Sequence, residues 1–307
     1  MGTDVMPKKT PFPLHMVSPL ISSTSLSQLC GREVLLKLDN TQPSGSFKIR
    51  GIGHFIGKNL ENGYDHIITS SGGNAGMAAA YASRRFGVPA TVVIPESTPQ
   101  LMISRLKEQD ANVIVHGNVW NAAHEKAQEL AQNGNCCLVH PFDHPDICGL
   151  DGEGLEDKTA RSAYRLHGDA ADIPVVAMET KGAHALNAAL QAGKPVSIGD
   201  ITSIAKTLGA LCVTQGVFDL KQGIQLLSNV ISDKQAVEAC EKFADEHRIL
   251  VEPACGAALA AGYCGIIKDL ILQGVIHKDG PIIFVVCGGN IVTLELLMAW
   301  KNQFHVH

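Results

Sequence analysis

Thr41-Gln42-Pro43-Ser44-Gly45-Ser46-Phe47-Lys48-Ile49-Arg50-Gly51 joins an apolar, strand-like run, Val34 to Leu38, to a segment that reads as a helix from Phe47 onward. Ser44 or Ser46 is the expected N-cap, because a short hydroxyl side chain can accept one of the backbone N–H groups that a helix start leaves open. Lys48 then falls in the first turn, where the helix dipole disfavours a cation by up to about 1 kcal/mol. The same field, with desolvation, favours the neutral amine, which is the nucleophile toward a carbonyl. An isolated lysine after a turn is ordinarily a solvated one. The company this lysine keeps argues for chemistry instead.

Downstream, β-rich runs alternate with helical stretches: Ile67 to Thr69 then Ala75 to Phe86, Ala90 to Ile94 then Leu101 to Gln109, Asn112 to Val115 then Val119 to Ala131, and a further strand at Cys137 to Val139. Such alternation predicts parallel βαβ units with buried strands. His140-Pro141-Phe142-Asp143-His144-Pro145 closes this block with proline punctuation. A second α/β block resumes at Pro174 with Val175 to Met178, runs through helical segments at Asp233 to His247 and Ala254 to Leu272, and ends with the strand Ile282 to Val286 and a last helix. Ile147 to Asp172, between the blocks, is polar and dotted with glycine, with no strand of its own. The expected division is a small α/β domain over 40–143 and a large domain from 1–39 with 144–307.

The chain has 307 residues, enough for two cores, and its 45% hydrophobic and 18% charged residues describe a globular composition. A formal net charge of −5 without a basic cluster argues against a nucleic-acid surface. Met1 to Pro13 lacks the pattern of a secretory signal, and no apolar run reaches the roughly 20 residues that span a bilayer, so a cytoplasmic protein without a membrane partner is expected. Nine cysteines without paired CxxC spacing suggest neither a disulfide framework nor a zinc site.

Three further motifs carry chemistry. Ser70-Ser71-Gly72-Gly73-Asn74-Ala75-Gly76 follows a strand and opens a helix, so backbone N–H groups and hydroxyls there can receive a carboxylate or phosphate; its ordinary alternative is a tight turn and cap. Cys287-Gly288-Gly289-Asn290 ends the last strand, where α/β sheets place ligand groups, although a cysteine in that position often only packs. Glu252-Pro253-Ala254-Cys255-Gly256 starts a small-residue helix, for which close packing is as good an explanation as ligand contact.

Together with Ser44 to Gly51, these motifs resemble, in order and over nearly the whole chain, the L-serine dehydratases among pyridoxal-phosphate enzymes of the tryptophan-synthase β type (fold-type II). The resemblance implies two α/β domains, parallel sheets flanked by helices, an active site in the cleft between them, and a homodimer. It implies that Lys48 binds pyridoxal 5′-phosphate covalently, that Phe47 stacks on its pyridine ring, and that Asn74 bonds its 3′ oxygen. Ser70, Ser71, Gly72, Gly73 and Asn74 would grip the carboxylate of an amino-acid substrate, and Cys287 would face the pyridine nitrogen. Glu179, Ala183 and Leu208 match positions that line a site for a monovalent cation such as K⁺. Serine would give pyruvate and threonine 2-oxobutanoate, each with ammonia.

Two departures stand out. Gly72 occupies a position at which classical serine dehydratases carry alanine. The four-glycine run that cradles the cofactor phosphate in the family has no counterpart between Asp143 and Pro174, where the sequence offers Gly149-Leu150-Asp151-Gly152-Glu153-Gly154-Leu155 and is short by roughly one βα step of about twenty residues. A non-catalytic or weakly cofactor-binding paralogue is therefore the alternative expectation.

Overall fold

The computed structural model describes residues 14–148 and 173–306. By packing, the chain divides into two units: residues up to Val17 together with Thr41–Lys158, and Ser18–Asn40 together with Thr159–His307. Gly149 to Asp172, including the glycine-dotted stretch, lies outside the described residues.

The first unit is a four-stranded parallel sheet. Its strands are β3 (His66–Thr69), β4 (Ala90–Ile94), β5 (Asn112–Val115) and β6 (Cys136–Val139), in the spatial order β5-β4-β3-β6. The central strands are buried and β-branched, as a sheet covered on both faces requires. Helices α2 (Lys48–Glu61), α3 (Asn74–Phe86), α4 (Gln100–Glu108) and α5 (Trp120–Ala131) precede the four strands in turn. Ile49, Ile52, Ile56 and Leu60 form one stripe of α2, and they pack with Ile67, Ala78, Ala82 and Val139 in a single core. A short helix, α6 (Pro145–Cys148), follows β6. On β6, burial pushes the Cys137 thiol up to about 11.

The chain builds β3, β4 and β5 outward in sequence, then returns to lay β6 on the far side of β3, with Thr69 paired to Val139. The strand order therefore reverses between β3 and β6. In open α/β sheets, the crevice at such a reversal, beyond the carboxyl ends of the strands, is where ligands bind.

In the second unit, β1 (Leu20–Ser22) pairs antiparallel with β2 (Val34–Leu38), which pairs parallel with β9 (Ile282–Val286). A separate parallel pair is formed by β7 (Val175–Thr180) and β8 (Leu226–Ile231). Neither β1 nor β8 is evident from sequence, nor is helix α1 (Thr24–Cys30), whose N-cap Ser23 accepts the Leu26 N–H.

The centre of this unit is the helix Pro253–Tyr263, in which all but Leu259's neighbour Ala258 and the terminal Tyr263 are buried. It lies against the helix Asp233–His247, held at its start by a capping box between Ser232 and Gln235. The stretch Ala254 to Leu272, expected as one helix, is two: Gly265 takes a left-handed conformation (φ 77°) and a second helix restarts at Ile266–Leu272.

Gly256 explains how closely the two long helices approach. A Cβ built there would stand 2.3 Å from the Ala236 carbonyl oxygen and 2.4 Å from Cys240 Sγ. Of the two explanations open for this motif, close packing is thus realised, against a helix rather than a sheet. Because a backbone carbonyl can yield only if a helix moves, Gly256→Ala is expected to destabilise the protein by about 1–3 kcal/mol. The shift of the urea midpoint, at unchanged slope, is the measurement.

Candidate active site

Lys48 opens α2, but neither serine caps it. Phe47 is the N-cap residue and makes no side-chain cap bond, while Ser44 Oγ donates to the Ser46 carbonyl at 3.4 Å. A tight turn, closed by Gly45 N–H donating to Gln42 O at 2.7 Å, directs the serines into the protein instead. Ser46 is fully buried, and its Oγ has no hydrogen-bond partner. The half-buried Lys48 side chain donates from Nζ to the Pro141 carbonyl at 3.0 Å, and Nζ stands 5.2 Å from the centroid of the Phe47 ring. Lys48 is thus tied to the loop that follows β6, at the reversal of the sheet.

The loop after β3 lies at the same edge. Ser70 is fully buried, Ser71 Oγ accepts the Gly73 N–H at 3.3 Å, and Asn74, also buried, is the first residue of α3. The Ser71 carbonyl folds back over the first turn of α3, where a Cβ on Gly76 would meet its oxygen at 1.7 Å; only glycine fits. At Gly72 a Cβ would lie 2.7 Å from Thr98 Cγ2 and 3.0 Å from Thr98 Oγ1. The first unit by itself therefore gathers Lys48, Phe47 and Ser70 to Asn74 around one sheet edge.

Two histidines join them that sequence reasoning passed over. Ser70 Oγ lies 2.8 Å from Nδ1 of His124 on α5. The His124 ring stacks on Trp120, one turn earlier (centroids 4.7 Å, planes at 16°), and meets His140 edge to face at 5.5 Å. His140 Nδ1 accepts the N–H groups of Phe142 and Asp143 at 3.3 and 2.8 Å, which holds the loop carrying Pro141. Burial lowers the pKa of both histidines; Glu125 partly opposes this for His124, and for His140 the neighbouring His124 adds to it. The i, i+4 spacing of Trp120 and His124 was the available sequence signal, but the contact with Ser70 spans 54 positions and no local pattern announces it.

The second unit holds the other residues. Cys287 directly follows β9 and is half-buried. A hydrogen bond with Cys255 and then burial raise its thiol pKa well above the ordinary range, so the thiol stays protonated. Glu252, the N-cap residue of the central helix, accepts the Thr207 hydroxyl at 2.7 Å. Near the end of β7, the Glu179 carboxylate accepts the N–H groups of Leu186 and Asn187 at 2.9 and 2.8 Å, closing the start of the helix Ala185–Ala192. Burial raises its pKa and those bonds oppose the rise. Ala183 forms a bridge to Thr180 in the turn after β7, and the Gly182 carbonyl of that turn accepts the Thr202 N–H, which brings in the segment that ends in the 3₁₀ turn Lys206–Leu208. Among the described residues, no three His, Cys, Asp or Glu side chains are grouped to hold a metal ion.

The chain matches the family of pyridoxal-phosphate dependent enzymes over residues 12–154 and 159–288. It is 45% identical over 314 residues to a human L-serine dehydratase/L-threonine deaminase, covering 95% of this chain and 96% of that one. It is 43% identical over 315 residues to a mouse serine dehydratase-like protein, covering 95% of each chain. Among solved structures it is similar to a fungal L-serine ammonia-lyase from Rhizomucor miehei, with a TM-score of 0.85, 28% identity, and coverage of 95% of this chain and 99% of that one. A parallel α/β unit with a lysine and a serine–glycine loop at its switch point is thus accompanied by similarity along nearly the full length, and the chain belongs to the pyridoxal-phosphate dependent enzymes.

Proposed function

We propose that this chain is an ammonia-lyase that converts L-serine, and L-threonine as a second substrate, to the corresponding 2-oxo acid and ammonia. The observation that carries the proposal is Lys48 Nζ, held half-buried by the Pro141 carbonyl beside the Ser70 to Asn74 loop. The residues suit the cofactor's ring and aldehyde. An amine stands at the helix start, the Phe47 ring adjoins it, and the Ser46 hydroxyl is a buried polar group lacking a partner of its own. The protonated Cys287 thiol is chemically suited to the pyridine nitrogen, to which it would donate only weakly.

Pyridoxal phosphate, when bound, supplies an electron sink that makes the substrate's Cα–H acidic. The chain's part is to hold and to move protons. Ser70, Ser71 and the backbone N–H groups at the start of α3 receive the carboxylate. Lys48 Nζ takes the proton from Cα. Loss of the β-hydroxyl as water leaves an enamine, whose hydrolysis after release gives the oxo acid and ammonia. The same proposal includes a monovalent cation at Glu179, Ala183 and Leu208, a homodimer, and a cytoplasmic location.

A second reading is favoured by a specific observation. The 315 positions aligned with the mouse relative exceed the 307 residues of this chain, so that alignment carries gaps on this side. If they include the phosphate cradle, the protein keeps the scaffold and binds cofactor weakly. Each backbone amide bonded to a phosphate contributes about 1.5–3 kcal/mol. Losing two would weaken binding by roughly two to four orders of magnitude.

Three measurements follow. Borohydride reduction of the cofactor-loaded protein and peptide mapping should place the pyridoxyl group on Lys48, and Lys48→Ala should abolish ammonia release from L-serine; labelling of another lysine alone refutes the assignment. Titration with pyridoxal phosphate, beside a version carrying a strand–tetraglycine–helix unit inserted before Pro174, separates the two readings: much tighter binding by the extended protein supports the second, equal affinities the first. Lastly, Gly72→Ala alone should crowd Thr98 and cost about 1–3 kcal/mol of stability. Combining it with Thr98→Ala should recover stability and, by firming the loop, raise serine turnover of the cofactor-saturated enzyme several-fold.

A further inference from the structure

One peptide group joins His140 to Lys48. The Pro141–Phe142 unit donates its N–H to His140 Nδ1 at 3.3 Å, and its carbonyl accepts from Lys48 Nζ at 3.0 Å. Among the described residues no peptide bond is cis, so the N–H and C=O of this unit point in opposite directions within one plane. Pinning the N–H therefore aims the carbonyl. The Asp143 N–H donates to the same Nδ1 at 2.8 Å and closes the turn. Because the proline ring fixes φ at Pro141, the plane can turn only about the two bonds that flank it, and turning it breaks the bonds at both of its ends.

We infer that His140 is a positioning residue for Lys48: by holding the Pro141–Phe142 peptide it turns the Pro141 carbonyl to the amine and orients that amine whenever it is not joined to cofactor. A neutral amine that gives one N–H to a fixed carbonyl keeps its lone pair in a fixed direction, as proton transfer requires. The two N–H donors also settle the histidine ring. Flipped, it would set a C–H against both of them, so Nδ1 faces the turn and the neutral ring carries its proton on Nε2. Charging the ring would make Nδ1 a donor and open the turn. Burial, His124 on α5, Lys48 on α2 and His144 all oppose that charge, and Asp143 alone favours it. The inference rests on the proposed function, in which Lys48 takes the proton from Cα.

Two substitutions separate the acceptor from the ring. Asparagine places Oδ1 where histidine has Nδ1 and can accept the same backbone N–H groups, whereas leucine has the same branched shape and no acceptor. Both lose the ring contacts with His124 and Phe142 alike. In cofactor-saturated protein, His140→Leu should lower kcat for L-serine about tenfold and change KM by less than about twofold. L-Serine deuterated at Cα should show a larger isotope effect on kcat in His140→Leu than in the wild type, because proton removal has become slower. His140→Asn should keep kcat and the isotope effect within about twofold of the wild type. When cofactor-free protein is mixed with pyridoxal phosphate, attachment to Lys48, followed by visible absorbance, should be about tenfold slower in His140→Leu than in His140→Asn. In cofactor-free wild type labelled with ¹⁵N-histidine, the resonances that disappear in His140→Asn should show a bare Nδ1 and a protonated Nε2; this measurement stands even if His140→Leu does not fold. Equal kcat or equal attachment rates in the two variants, an isotope effect that does not rise in His140→Leu, or a proton on Nδ1 each overturns the inference. A cofactor-loaded wild type that leaves L-serine unconsumed overturns the proposed function instead, and the attachment rates and the tautomer then still decide whether His140 aims the carbonyl.

Discussion

Pairing of β6 with β3, rather than with the neighbouring edge at β5, brings the loop after Thr69 and the loop after Val139 to one end of the sheet. Backbone hydrogen bonds fix that register, and Thr69 Oγ1 reinforces it by donating to the Val139 carbonyl at 3.0 Å. Everything proposed for the first unit's site depends on it. Lys48 finds the Pro141 carbonyl and Ser70 finds His124 on the helix leading into β6 because the two strand ends are neighbours, while His140 clasps its own loop locally. A one-residue slip would turn the side chains of β6 to the opposite face and take the Thr69 bond with it.

In each unit by itself, the candidate polar groups are organised by helix starts. Lys48 and Asn74 open α2 and α3, Glu252 precedes the central helix of the second unit, and Glu179 closes the start of Ala185–Ala192. Each such end presents backbone donors that need acceptors. Protein groups supply them at Glu179, with two backbone N–H groups on one half-buried carboxylate. The start of α3 has no side-chain cap, and a Cβ on Gly73 would meet nothing nearer than Ser71 Oγ at 4.0 Å, which leaves room for an external anion. That difference separates a structural cap from a binding loop more surely than the residue types do.

Much of the architecture was legible in the sequence. The runs at Ala90–Ile94, Asn112–Val115 and Ile282–Val286 are strands with the bounds expected, because each is a short unbroken run rich in β-branched residues, whether fully buried as at Ala90–Ile94 or partly exposed as at Asn112–Val115. What escaped has physical causes. β1 is three exposed residues supported by its partner rather than by its own composition. The serines before Lys48 look like caps, yet the turn at Gln42–Gly45 points them inward. Within Ala254 to Leu272 Gly265 is one of three glycines and no proline or charged residue adjoins it, so the break shows clearly only in the left-handed backbone at Gly265. In the site, Lys48 and the Ser70 to Asn74 loop are readable because short motifs define them. His124 is not, since its partner reaches it only through the strand order.

Among the described residues β6 is an edge strand, and the burial that keeps the Cys137 thiol protonated also shields it from electrophiles. A thiol so placed reacts only while its strand is detached, so under slow labelling its rate of modification follows the population of molecules in which β6 has let go. Those are the same molecules in which Pro141 no longer holds Lys48. The fold thus contains its own chemical clock for local unfolding at this end of the sheet, set by the Cys137 sulfur and readable by peptide mass as a second label added after the half-exposed Cys136 has reacted, without any cofactor or substrate present.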